Sequence, residues 1–79
     1  MTNREIEKLI KRDLQVDAKV IEKAITVSYS NGTTHQLITA AVGSDVLYFV
    51  VAWYGSIGEN AVYPVDDYRH GVLFLIRTL

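Results

Sequence analysis

Apolar residues are arranged in three different ways along this chain, and each arrangement predicts a different element. Near the N-terminus they are periodic: Ile6, Leu9, Ile10 and Leu14 follow one another at spacings of three, one and four, the stripe of an amphipathic helix. Thr2 and Glu5 stand at its head with the spacing of a capping box, in which hydroxyl and carboxylate satisfy free amides of the first turn. Asp13 falls inside the stripe and sets the close of the helix, which the pattern places at residues 3–14. Glu5/Lys8 and Glu7/Lys11 add opposite charges at helical spacing.

In the second arrangement apolar and polar residues alternate. Ile25 to Tyr29 reads as a strand, Asn31-Gly32 as a tight turn, and Thr33 to Ala41 as the return strand. A two-residue loop pairs positions summing to 63 and sets Val27 against Gln36. A three-residue loop over residues 30–32, with Gly32 left-handed, pairs positions summing to 62. Ile25 then faces Leu37, Ala24 faces Ile38, and Tyr29 lies beside Thr33. The second register matches apolar to apolar better, so a bulged hairpin is expected. Residues 16–24 fit either a short helix capped by Asp17 or an early start to the first strand. The Val20-Ile21 pair favours the strand.

The third arrangement is continuous. Val46 to Tyr54 is nine apolar residues without a break, and Val72 to Ile76 is a second run. Side chains of a strand point alternately to its two faces, so an unbroken run is apolar on both and needs cover above and below. Gly43-Ser44-Asp45 supplies the turn before the first run. Gly55 to Gly71 forms a long connection holding Pro64, with Ala61 to Tyr63 as a possible short edge strand. Residues 72–78 read as the last strand. The order gives a single α+β domain: an N-terminal amphipathic helix packed on one face of a four-stranded, or with residues 61–63 five-stranded, antiparallel β-meander.

One helix covers one face. The other face would leave several hundred Å² of apolar surface bare, more than a soluble monomer tolerates, so a homodimer with sheets face to face is expected. Size points the same way. A chain of 79 residues buries only about 60–65% of its unfolded surface, and with no cysteine it has neither disulfides nor thiolate metal sites to help. Central positions in this core fall to Phe49 and Phe74.

Net charge is −1, which rules out a global field for nucleic acid. Its distribution is uneven. Residues 2–24 carry six Lys/Arg and five Asp/Glu, whereas residues 25–79 carry only Asp45, Glu59, Asp66, Asp67, Arg69 and Arg77. So little charge means that much of the later chain is hidden, by the helix or by a partner. Residues 37–57 contain one charge, Asp45, but the Gly43-Ser44-Asp45 turn and the strand-forming residues around it argue against a membrane span. The charged opening residues lack an apolar secretory core, which favours the cytoplasm.

Candidate chemistry is sparse. Asp66, Asp67 and His70 are of the types that hold a divalent metal, but Asp66 as a cap and Gly71 as a helix stop explain the segment more simply. His35 and His70 are the only imidazoles available to a general base, and no nucleophile elbow, Walker loop or zinc-protease signature accompanies them. Gly55 to Gly58 resembles a phosphate loop only in its glycines. No motif is specific enough to name a family. The chain therefore reads as non-enzymatic, with no cofactor and no metal.

What the sequence does offer is aromatic residues with polar tips. Trp53, Tyr54, Tyr63 and Tyr68 lie around the Gly55–Gly71 segment, with Asp66, Asp67 and Arg69 as a polar rim, the composition of a protein-docking surface. The expected function is a small protein-binding module, a regulator or inhibitor acting by docking on another macromolecule. The alternative is nucleic-acid contact through Arg4, Lys8 and Lys11, a basic row opposite the apolar stripe of the helix, diluted by Glu5 and Glu7.

Overall fold

Helix α1 runs from Asn3 to Leu14, the span set by its apolar stripe. The capping box is formed: Thr2 Oγ1 accepts from the Glu5 N–H at 3.2 Å, and Glu5 Oε1 accepts from the Thr2 N–H at 3.0 Å. Gln15 closes the helix in the left-handed region, φ 57°, donating its N–H to the Lys11 carbonyl. The computed structural model describes residues 1–54 and 60–78.

Strands β1 (Ala18–Ser28), β2 (Thr34–Val42), β3 (Asp45–Trp53) and β4 (Ala61–Val65) form an antiparallel sheet in chain order, followed by helix α2 (Tyr68–Thr78). The β1–β2 turn is the three-residue loop: Tyr29 donates to the Thr33 carbonyl, Gly32 donates to the Tyr29 carbonyl, and Gly32 has φ +90°. Asn31 Oδ1 accepts from the Thr33 N–H and hydroxyl, which braces the loop. From Ser28 back to Ile25 every pair sums to 62, with Ile25 opposite Leu37. Beyond it two bulges intervene, between Lys23 and Ile25 and between Val20 and Glu22. They let an 11-residue strand pair with a 9-residue one and set Lys23, rather than Ala24, opposite Ile38. Residues 18–24 are strand, as the Val20-Ile21 pair favours.

The last strand is where the reading changes. Residues 61–65 supply the fourth strand, and residues 72–78, expected to be a strand, belong to α2. A short apolar run does not reveal its own period, and Gly71 reads as a stop. In the structure Gly71 lies inside the helix, packed so closely on Leu37 that a Cβ there would collide with the leucine methyls. Asp67, not Asp66, is the N-cap: its Oδ1 accepts from the His70 N–H at 2.8 Å.

The three layers have two cores. On one face Ile6, Leu9 and Ile10 of α1 pack on Val20, Ile38, Ala40, Phe49, Val51 and Val62. On the other, Leu75 of α2 seals Leu37 and Val50, with Ile25, Val27, Val65, Val72 and Phe74 around them. From Phe49 to Ala52 strand β3 is thus covered on both sides, and the cover assigned to a second molecule comes there from α2 of the same chain, whereas Val46 and Leu47 at its start stay exposed. Phe49 is 2% exposed, whereas Phe74 sits half-buried on the flank of α2 instead of at the centre. No helix among the described residues is long and apolar enough to cross a membrane.

Candidate functional site

Strand β4 pairs with β3 on one side only; on its other edge the C-terminal turn of α1 closes the start of the strand, where Asp13 accepts the Val62 N–H and Arg12 donates to the Asn60 carbonyl at 2.7 Å. Two residues after β4 the chain turns into α2, which folds back over β2, β3 and β4. The turn is fixed by Asp67, whose carboxylate takes the His70 N–H and lies 2.8 Å from His70 Nδ1. Those bonds, the backbone one foremost, hold its carboxyl below the usual range. Between β4 and α2 lies an open groove of about 510 Å³, lined by Pro64, Val65 and Asp66 on one wall and His70, Leu73, Phe74 and Arg77 on the other.

The groove has an apolar middle and charged ends. Leu73, Phe74 and Val65 are half-buried, and Pro64 is exposed. Residues 70, 73, 74 and 77 recur at spacings of three, one and three, one stripe of α2. Asp66 lies where β4 ends and Arg77 at the far end of the helix. Neither has a hydrogen-bond or ion-pair partner among the described residues. Tyr63, on the same sheet face, tilts against Phe74 with ring centres 5.2 Å apart.

The predicted docking residues divide into three groups. Tyr54 and Tyr63 come together at the start of β4, where a hydrogen bond between their hydroxyls, followed by burial, pushes the Tyr54 phenol above its usual range. The Tyr54 N–H is held by Asn60 Oδ1 at 3.2 Å. Asp66, Asp67, Tyr68 and Arg69 gather at the other end of β4, where Tyr68 meets Tyr48 edge-on. Trp53 is on the opposite face of the sheet, half-buried against the α1 core. Five groove residues escaped the sequence reading: Pro64, Val65, Leu73, Phe74 and Arg77. The signal for the last three was the helical spacing of 70, 73, 74 and 77, hidden while the segment read as a strand.

The other candidates are also placed. Arg4, Lys8 and Lys11 line a shallow depression on α1 that includes Glu7 and Asp17. Lys11 pairs with Asp17 at 3.2 Å, and Glu7 accepts the Val20 N–H at 2.9 Å, so acids are interleaved with the basic row. His70 stands in the first turn of α2, whereas His35 lies on β2 against Ala52, near the far end of β3. His35 is 9% exposed, lies edge-on to Tyr29 and Tyr54, and its Nδ1 has no hydrogen-bond partner. Burial pushes its imidazole below the usual range. Among the described residues no three His, Asp or Glu side chains gather to hold a metal. The glycine pair at 55 and 58 falls outside the described residues. No protein family, curated protein or solved structure matches this chain.

Proposed function

We propose that this chain is a small non-enzymatic docking module, a regulator or inhibitor that engages another protein through the face shared by β4 and α2. One observation carries the reading: the C-terminal end of edge strand β4 stands beside a helix, with an apolar-floored groove between them. Grooves of this shape receive segments of other proteins, because their apolar floor and helix side offer pockets for side chains. Tyr63, Tyr68, Leu73 and Phe74 supply the apolar contacts, and Asp66, Asp67, Arg69 and Arg77 the polar rim. Docking suits a monomer and a homodimer alike, since the sheet no longer needs a second copy to cover it.

A photo-crosslinking residue in place of Leu73, and another in place of Lys8, tests the reading in host extract. Protein adducts at position 73 that disappear when Tyr63→Ala and Phe74→Ala are added support it. Nucleic-acid adducts at position 8, released steeply by salt, would replace it with contact through Arg4, Lys8 and Lys11.

A further inference from the structure

A strand has little to hold on to beside β4. Asp13 already takes the Val62 N–H, Arg12 takes the Asn60 carbonyl, and Pro64 has no N–H to give. What stays open is the wall of α2. His70, Leu73, Phe74 and Arg77 line the groove as one stripe of that helix, at the spacing by which one helix meets another. The occupant this wall suits is a helix.

Charge says which helix. Asp66, two residues before α2 begins, and Arg77, in its last turn, both line the groove and stand at opposite ends of α2. Both are exposed, and neither has a partner among the described residues. His70 is held by Asp67 at 2.8 Å. A helix lying antiparallel to α2 must therefore bring a cation to Asp66 and an acid to Arg77, with apolar residues between. Read from its own N-terminus, that helix is acidic, apolar, then cationic. This is the order of Asp66, Leu73-Phe74 and Arg77 themselves.

We propose that the groove receives a second copy of this chain, the two α2 helices packed antiparallel about a two-fold axis near Leu73 and Phe74. A two-fold contact is reciprocal, so Asp66 of each copy faces Arg77 of the other. The parallel arrangement would set Asp66 against Asp66 and Arg77 against Arg77, with the helix dipoles opposed to it as well. From His70 to Arg77 the helix rises only about 11 Å. The contact is thus smaller than the roughly 800 Å² per partner of a standard interface, and the dimer is weak. The inference rests on the docking reading for its face and goes beyond it: the chain alone covers the surface that another protein would claim.

Sedimentation equilibrium of the purified full chain should show monomer and dimer in exchange. Asp66→Lys places like charges at both reciprocal contacts, and so does Arg77→Glu. Each variant alone should dimerise about tenfold more weakly or worse. Mixed in equal amounts they should dimerise again, because each then meets an opposite charge at both contacts, and Asp66→Lys/Arg77→Glu in one chain should behave as wild type. Circular dichroism checks that the variants stay folded. A photo-crosslinking residue in place of Leu73 in the otherwise unaltered, purified chain should join copy to copy, which reads the contact without the charge variants. A chain monomeric at millimolar concentration, a dimer without adducts at position 73, or folded variants whose mixture stays monomeric overturns the inference. Foreign-protein adducts at position 73 in host extract beside a monomeric purified chain would leave docking standing and remove only self-association. A dimer with copy-to-copy adducts and no foreign ones would support the inference and remove the docking reading.

Discussion

At Gly71 the helix approaches the sheet so closely that only a hydrogen fits over Leu37. Alanine is the better helix former by about 1 kcal/mol, yet Gly71→Ala should destabilise the protein, because Leu37 is fully buried and must move within a packed core. In a Leu37→Ala background the same change should become neutral or stabilising. Urea titration of the double-mutant cycle reads the sign reversal. The two phenylalanines should differ as well. Phe49→Ala opens a cavity in the α1 core and should cost about 3–5 kcal/mol, enough to leave a domain of this size largely unfolded. Phe74→Ala trims the half-buried flank of α2 and should cost about 1 kcal/mol. Equal losses at both positions would contradict this division of the core. His35 brings a pH dependence. Burial depresses its folded pKa, so as pH falls the unfolded chain takes up this proton first. Stability is full above the ordinary imidazole value of 6.5 and declines below it until the folded group titrates. Denaturant midpoints measured from pH about 7 down to about 5 should fall for wild type and stay nearly flat for His35→Phe.

Elements were legible wherever the chain carried a period or a turn chemistry of its own. The stripe Ile6, Leu9, Ile10 and Leu14 with its capping box located α1, and the Asn31-Gly32 loop located the hairpin with the pairing of Ile25 to Leu37. The two bulges were not visible, since nothing local to residues 20–25 marks where an edge strand takes in an extra residue. Residues 72–76 were misread for a different reason. Five consecutive apolar residues fit a strand or a buried helix equally well, and the choice was made by the bare Leu37–Val50 face they pack against. What starts α2 is the Asp67 cap, and Asp67→Ala should lower the denaturation midpoint. Its carboxyl is held low by the His70 N–H, so the cap's contribution is present above the ordinary carboxylate pKa and is lost as pH falls through the depressed one. Acid denaturation curves of wild type and Asp67→Ala should therefore converge at the acid end, and curves that stay parallel would refute the cap.

For the molecule as a whole, the site was half visible. The polar-tipped aromatics and the charges at 66, 67 and 69 marked the right stretch of chain, but Leu73, Phe74 and Arg77 become a groove wall only once 68–78 is helical. The expectation of an uncovered apolar face holds for a chain lacking α2. A version ending after Asp67 would bare Leu37 and Val50, and light scattering should show it oligomeric or aggregated rather than a folded monomer. The meander has a further consequence in time. Each strand pairs with its neighbour in sequence, across connections as short as Gly43-Ser44, so no pairing waits for a distant segment to be found. Refolding should be fast, in the millisecond range or below, with α2 docking onto a platform that β2, β3 and β4 have already built. During synthesis that platform is complete before the residues that seal it leave the ribosome. The nascent sheet is therefore at its most adhesive just before residues 68–78 emerge, so a chain broken off between β4 and α2 is a more hazardous product than one broken off before β3.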